Sequence, residues 1–183
     1  MITEPKWKSL IANTTGPLFT PKQCQDIINM GHQQKSEEAV VGHQDKKESR
    51  KGEHDTKKRI STISWIPFKA MPDMYRMIER SMQQANGNHF GYEGMQLTEW
   101  AQFTEYPKGG FYDWHMDAEV NCQYEPPVRK ISMTILLSPQ HEFEGGDLEF
   151  MVGNLPPPQL VQGQAIYFCS LIRHRVVKVT KGR

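Results

Sequence analysis

A chain of 183 residues, 37% of them hydrophobic, can bury one sizeable core but is short for two ordinary domains, so a single domain over 1–183 is expected. Its 22 Lys and Arg against 21 Asp and Glu leave a net charge of +1, which excludes a global field favouring nucleic acid or an anionic membrane. No apolar run approaches the roughly 18 residues of a membrane span, and the first ten residues mix Glu4, Lys6 and Lys8 without a signal-peptide core, so a soluble, cytoplasmic protein is expected.

In chain order, Thr20-Pro21-Lys22-Gln23 reads as a helix start, with Thr20 as N-cap, Pro21 at the first helical position and Gln23 completing a capping box. Cys24, Ile27, Ile28 and Gly31 then share one helical face. Residues 36–58 are strongly hydrophilic and bury little; a solvated segment is favoured over a lid across a site. A β-rich run from Ile60 to Ile66 ends at Pro67 and reads as a strand. A second helix is expected from Pro72, with Met71, Met74, Tyr75, Ile78, Met82 and Ala85 at helical spacing and a stop at Asn86-Gly87. Its methionines suit an irregular core better than a binding groove. Residues 1–95 thus read as helical support and charged loop.

From Gln96 onward the chain becomes a series of short strands, expected at 96–106, 111–117, 130–137, 148–152, 159–161, 164–168 and 174–180. Turn chemistry separates them: Pro107-Lys108-Gly109-Gly110, Gly145-Gly146-Asp147, Pro156-Pro157-Pro158 and Gln162-Gly163. Such spacing argues for a sandwich or barrel and against βαβ units, and a small jelly roll can hold one ligand at its mouth. Cys24, Cys122 and Cys169 are odd in number and lack C-x-x-C spacing, so neither a disulfide framework nor a zinc ribbon is expected, but inert thiols. His32, His43, His54, His89 and His141 have no ligand-like pairing and read as surface or structural residues.

His115-Met116-Asp117 stands apart. On a strand, positions i and i+2 share a face, so His115 and Asp117 can reach one ion, and a distant His174 can supply the third ligand. Two imidazoles and one carboxylate occupy three cis positions around iron(II) and leave three open for a co-substrate and dioxygen, which points to an oxygenase.

Five segments in order then carry a family resemblance. They are Tyr106 to Asp117, with its tyrosine, glycine turn and H-x-D; Arg129 to Ser138, an arginine-led strand; Glu144-Gly145-Gly146-Asp147-Leu148; Gly163 to Phe168; and His174 to Arg183, close to an H-x-V-x-x-V-T-x-G-x-R ending. Residues 96–183 resemble the core of the 2-oxoglutarate and iron(II)-dependent dioxygenases, in particular the prolyl 4-hydroxylase and PKHD-type hydroxylase group. The resemblance implies a mainly β fold with supporting α-helices: a double-stranded β-helix (jelly-roll, cupin-like barrel) preceded by N-terminal helices. It also implies that His115, Asp117 and His174 bind iron(II), and that Arg183 pairs with the distal carboxylate of 2-oxoglutarate, a task suited to a planar, always-charged fork. Tyr106, and less directly Thr134, would bond the same co-substrate. Arg129 would sit at the substrate entrance, with Tyr112 and Trp114 shaping the pocket or simply packing. The implied reaction consumes dioxygen and 2-oxoglutarate, releases succinate and carbon dioxide, is supported by ascorbate, and hydroxylates a proline in a peptide or protein. A free amino acid or other small molecule is the alternative substrate, and a non-enzymatic cupin-like binding module the alternative of another class, although such a module has no need of Arg183.

Overall fold

A computed structural model describes residues 9–39, 55–118, 128–153, 156 and 158–183. The order of elements is β1 (Ile11–Asn13), α1 (Pro21–Gln33), β2 (Glu37–Glu38), β3 (Arg59–Ile60), β4 (Thr62–Ile66), α2 (Pro72–Ala85), β5 (Ala101–Glu105), β6 (Phe111–His115), β7 (Ile131–Ile135), β8 (Glu144–Gly145), β9 (Leu148–Phe150), β10 (Ala165–Cys169), β11 (His174–Val176) and β12 (Val179–Lys181). The protein is therefore mainly β with few helices. Both α-helices fall in the first half, interleaved with β1 to β4. Among the described residues the strands form four antiparallel sheets, not one closed barrel: β1-β10-β7, β3-β6-β11-β9, β12-β8 and β2-β4-β5.

Helix α1 begins where the sequence reads it. Gln23 N–H donates to the Thr20 hydroxyl at 3.3 Å, and Thr20 N–H donates to Gln23 Oε1 at 2.9 Å, so the capping box is complete. Cys24, Ile27 and Gly31 are its buried residues. Gly31 is required by packing, since a Cβ there would lie 2.4 Å from the Phe103 ring of β5. Helix α2 also starts at Pro72, and its apolar stripe is core: Met74, Tyr75 and Ile78 pack with Phe19, Cys24, Ile66 and Phe103, while Met71, Met77 and Met82 fill around them.

The expected stop at Asn86-Gly87 is displaced. The chain continues through a π turn over Asn86–Phe90 and reverses at Gly91, whose φ is +74°. Asn86 is buried and used sideways, its amide donating to Tyr92 O at 2.8 Å and its carbonyl accepting Tyr92 N–H at 2.9 Å, and the added turn buries Phe90. Residues 159–161 form no strand. Gln164 N–H donates to Val161 O at 2.9 Å and Val161 N–H donates to Gln164 Oε1 at 2.8 Å, closing a turn instead. Gly163 fits that turn closely against Phe19, with φ +82°. Strand 96–106 forms only over Ala101–Glu105, and the expected 174–180 strand divides into β11 and β12 as its partners change.

Of the hydrophilic 36–58 segment, residues 37–38 form β2 beside β4, whereas 40–54, with His43 and His54, lie outside the described residues, as does Cys122. Cys24 and Cys169 are free thiols, and burial pushes the Cys24 thiol up from its ordinary pKa. His32 meets Glu105 at 3.0 Å and abuts Phe103 edge-on, a structural role. Among the described residues no helix is long and apolar enough to cross a membrane.

Candidate metal centre

The site grows from one strand pairing. Antiparallel β6 and β11 place His115 directly opposite His174, so two residues distant in sequence become cross-strand neighbours with ring centroids 4.1 Å apart. Asp117 does not extend β6 as the i, i+2 argument supposed. It lies in the turn beyond the strand, where its N–H and that of Ala118 donate to Ser170 O at 3.0 and 3.1 Å. Ser170 is itself fixed by a buried hydroxyl contact of 2.9 Å with Ser132 on β7. The turn thus delivers the carboxylate: Asp117 Oδ1 stands 3.7 Å from His115 Nε2 and 3.6 Å from His174 Nε2. Among the described residues these three form the one group of His, Cys, Asp and Glu able to hold a metal.

The donor set suits iron(II) in chemistry and geometry. Ligand atoms at right angles around an ion with bonds of about 2.1 Å stand about 3 Å apart, and the Asp117 oxygen lies 3.7 and 3.6 Å from the two Nε2 atoms. The tautomers are set as well. His115 Nδ1 meets Asp113 O at 2.8 Å and His174 Nδ1 meets Ile172 O at 3.0 Å, so each Nδ1 donates to a backbone carbonyl and each Nε2 keeps its lone pair for the ion. Burial, followed by the neighbouring His174, lowers the pKa of His115 to about 4, which keeps its imidazole neutral at ordinary pH. His174 is buried among Phe168 and Phe150, at ring distances of 4.6 and 6.1 Å.

Tyr112 reaches this group through an irregularity that the sequence did not disclose. Between His174↔His115 and Val176↔Tyr112 the register slips by one residue, a bulge in β6 that turns Tyr112 to the face of His115. The two rings stack at 3.4 Å and 14°. Trp114 is thereby sent elsewhere, lying under the Arg175 guanidinium at 4.8 Å, with Arg175 Nε donating to Glu149 at 2.7 Å.

Arg59, which sequence reasoning missed, also lies against Tyr112. Strand β3 pairs with β6 at Arg59↔Tyr112, and the guanidinium carbon sits 4.4 Å over the Tyr112 ring. Arg59 is buried, with Nε donating to Ser61 Oγ at 2.8 Å and Nη2 to Gln102 Oε1 at 3.2 Å. Burial pushes Tyr106 up to about 12 and raises Tyr112, so both remain protonated donors. The available signal for Arg59 was one charged residue opening a β-rich run, which has no ligand-like spacing.

The remaining expected residues are more dispersed. Arg129 straps the metal turn: its Nη1 donates to the backbone carbonyl of Asp117 at 2.9 Å and its Nη2 to Glu99. Thr134 is exposed on β7 opposite Ile166. Arg183 is 68% exposed, its Nη1 3.5 Å from Glu105 Oε1, the same carboxylate that meets His32.

Residues 101–183 match the sequence model of the 2OG-Fe(II) oxygenase superfamily. A PKHD-type hydroxylase of Alteromonas mediterranea is 33% identical over 84 residues, 44% of this chain and 37% of its own. Another, from a Synechococcus species, is 30% identical over 114 residues, 60% of this chain and 49% of its own. The chain thus spans less than half the length of either curated relative in its match. The fold is shared with the viral collagen prolyl hydroxylase of Paramecium Bursaria Chlorella virus-1, solved with 2OG, at TM-score 0.69 and 16% identity over 95% of this chain and 91% of that one. It is shared also with a Trichoplax adhaerens prolyl hydroxylase, solved with a hypoxia inducible factor peptide, at TM-score 0.65 and 14% identity over 94% and 79%.

Proposed function

We propose that the chain, whose residues 101–183 match the 2OG-Fe(II) oxygenase superfamily, is a 2-oxoglutarate- and iron(II)-dependent dioxygenase that hydroxylates a C–H bond, with a proline in a peptide or protein as the favoured substrate. The observation that carries the reading is the convergence of His115, Asp117 and His174 through the β6–β11 register and the Ser170-pinned turn. We take the paired strands around them as a double-stranded β-helix. Two fold neighbours named as prolyl hydroxylases, one solved with a peptide, support the substrate class.

When bound, iron(II) and 2-oxoglutarate supply the oxidation, coupling use of dioxygen to decarboxylation of the co-substrate to succinate and carbon dioxide. The protein's share is placement. His115 and His174 present Nε2 lone pairs because both Nδ1 atoms are committed to backbone carbonyls. Asp117 supplies the single negative ligand, and two histidines with one carboxylate leave the other positions of an octahedral ion open. Tyr106 donates a phenol hydrogen bond to the co-substrate, and Thr134 offers a hydroxyl from β7. Arg183 takes the distal carboxylate of 2-oxoglutarate in exchange for Glu105, a bidentate fork replacing an exposed 3.5 Å ion pair. Arg129 contacts substrate, and Tyr112, stacked on His115, shapes the pocket, whereas Trp114 packs under Arg175.

The test is succinate formation from 2-oxoglutarate with iron(II) and ascorbate under air, with and without proline-containing peptides. Turnover stimulated by a peptide is the expected result. Uncoupled turnover alone retains the oxygenase and moves the substrate to a free amino acid or other small molecule. No succinate and no 2-oxoglutarate binding by iron-loaded protein overturns the reading in favour of a cupin-like binding module.

A further inference from the structure

The turn that follows β10 carries more of the metal centre than its length suggests. Within residues 169–172 three carbonyl groups are in use: Ser170 O accepts the N–H groups of Asp117 and Ala118 at 3.0 and 3.1 Å, Ile172 O meets His174 Nδ1 at 3.0 Å, and Cys169 O closes the turn by accepting Ile172 N–H at 2.9 Å. One short turn therefore sets both the place of the carboxylate ligand and the tautomer of a histidine ligand. Any displacement of it disturbs Asp117 and His174 together.

Strand β7 holds the turn still. Ser170 N–H donates to Lys130 O at 3.0 Å, which carries the β10–β7 ladder one residue past the pairing of Cys169 with Ile131. The Ser170 hydroxyl adds a side-chain tie, 2.9 Å to the hydroxyl of Ser132, the register partner of Phe168. Phe168 in turn lies with its ring 4.6 Å from that of His174. Ser170 is 0% exposed and Ser132 8%, so water does not compete for either hydroxyl. Two buried hydroxyls that satisfy only each other add little net stability, because replacing both by apolar groups of the same shape costs little. What such a pair does supply is direction, since a hydrogen bond fixes an orientation where apolar contact does not, and a satisfied buried polar pair specifies one arrangement of its surroundings.

We infer that Ser170 and its partner Ser132 are positioning residues for the metal centre: their hydroxyl pair locks the 169–172 turn in the arrangement that aims Asp117 and His174 at one ion. This role rests on the oxygenase reading only in requiring that the group bind a metal, so it is tested by metal affinity and not by turnover.

The experiment is an oxygen-free titration of the full chain with cobalt(II), a spectroscopic substitute for iron(II) whose visible d–d bands report occupancy and coordination geometry. Wild type is compared with Ser170→Ala, Ser132→Ala, the double variant and Ser64→Ala, and urea unfolding of each metal-free protein is measured alongside. Ser64 is the control, 2% exposed with its hydroxyl donating to Gly31 O at 2.8 Å, on elements that carry no metal ligand. Each single alanine at 132 or 170 leaves one buried hydroxyl without a partner and lowers the urea midpoint, whereas the double variant removes both and recovers most of that loss. Cobalt(II) affinity follows a different order. It falls about 10-fold in both single variants, the low end for groups that support metal ligands, and stays about 10-fold down in the double variant, with altered d–d bands at saturation. Ser64→Ala lowers the midpoint and leaves cobalt(II) affinity as in wild type. Should the double variant fail to fold, Ser132→Ala read against Ser64→Ala decides. Affinity that recovers with stability in the double variant, or that Ser64→Ala weakens equally, reduces the pair to packing and overturns the inference. Wild-type affinity in all the serine variants overturns it alone, while wild-type protein that takes up no cobalt(II) overturns the metal-centre reading as well.

Discussion

Replacing Arg129 with glutamine separates a structural strap from a substrate contact. Arg129 bonds to two groups: a 2.9 Å donation to the backbone carbonyl of Asp117 and an ion pair with Glu99. The side chains of that pair are 36% and 53% exposed, so the pair contributes at most about 1 kcal/mol and its loss leaves global stability nearly unchanged. The bond to Asp117 acts differently, since it holds the turn that presents one of three metal ligands. That turn has a second anchor in Ser170 O, so the loss is partial. Supporting contacts of this kind are worth about 10- to 100-fold in metal affinity, or roughly 1.4–2.7 kcal/mol. Arg129→Gln is therefore expected to raise the half-saturating iron(II) concentration in the succinate assay by that factor, restore full turnover at excess iron, and move the denaturant midpoint little. Glu99→Gln, which spares the Asp117 bond, changes the iron requirement less than about 3-fold by the same reasoning. Unchanged iron dependence with a raised peptide KM would refute the strap and leave Arg129 as a substrate contact.

His115→Ala and Asp117→Ala are each expected to abolish iron-dependent succinate formation while the circular dichroism melt stays near wild type; retained turnover in both sinks the metal assignment. Arg183→Ala should raise the 2-oxoglutarate KM roughly 10- to 100-fold, the loss of a charged bidentate partner, and Glu105→Gln, by freeing that guanidinium, should lower it. An Arg183→Ala enzyme with unchanged co-substrate dependence places the carboxylate anchor elsewhere. The metal-free protein should lose stability on acidification. His115 protonates near its ordinary value of 6.5 when unfolded but only at about 4 when folded, so its contribution is complete above pH 6.5 and is lost as pH falls toward 4. At about 1.4 kcal/mol per unit the loss reaches about 3 kcal/mol. Urea denaturation from pH 7 to 4.5 reads it, and a wild-type curve parallel to that of His115→Gln refutes it.

How legible the protein was depended on whether a feature is local. The α1 cap is local: Thr20, Pro21 and Gln23 carry their own instructions, and the helix begins as they require. The core stripe of α2 is equally local, but its end is not, because Asn86 is drawn inward by Tyr92, which propensity at Asn86-Gly87 cannot anticipate. Strand β1 passed unnoticed since three residues, Ile11, Ala12 and Asn13, show no usable alternation and become a strand only by pairing with Phe168, Tyr167 and Ile166. The failed strand at 159–161 is the converse, a short run folded into a turn in which Val161 N–H donates to the Gln164 side chain.

The metal site divides in the same way. His115, Asp117 and His174 could be named from residue type and order because coordination chemistry restricts which side chains serve, yet the reason given for Asp117 was incomplete. Strand alternation would put it beside His115, whereas Ser170, 53 positions later, pins the turn that brings it there. The bulge in β6 has the larger consequence. Strict alternation gives Tyr112 and Trp114 a common face, and both were expected at the pocket on equal terms. One extra residue in the β6–β11 register parts them, laying Tyr112 on His115 and Trp114 on Arg175. Arg59 depends on that slip, for its cation is stacked on a ring that would otherwise face away. A buried charge, one phenol ring and a metal ligand are thereby joined by a defect in pairing, which no one-dimensional pattern encodes.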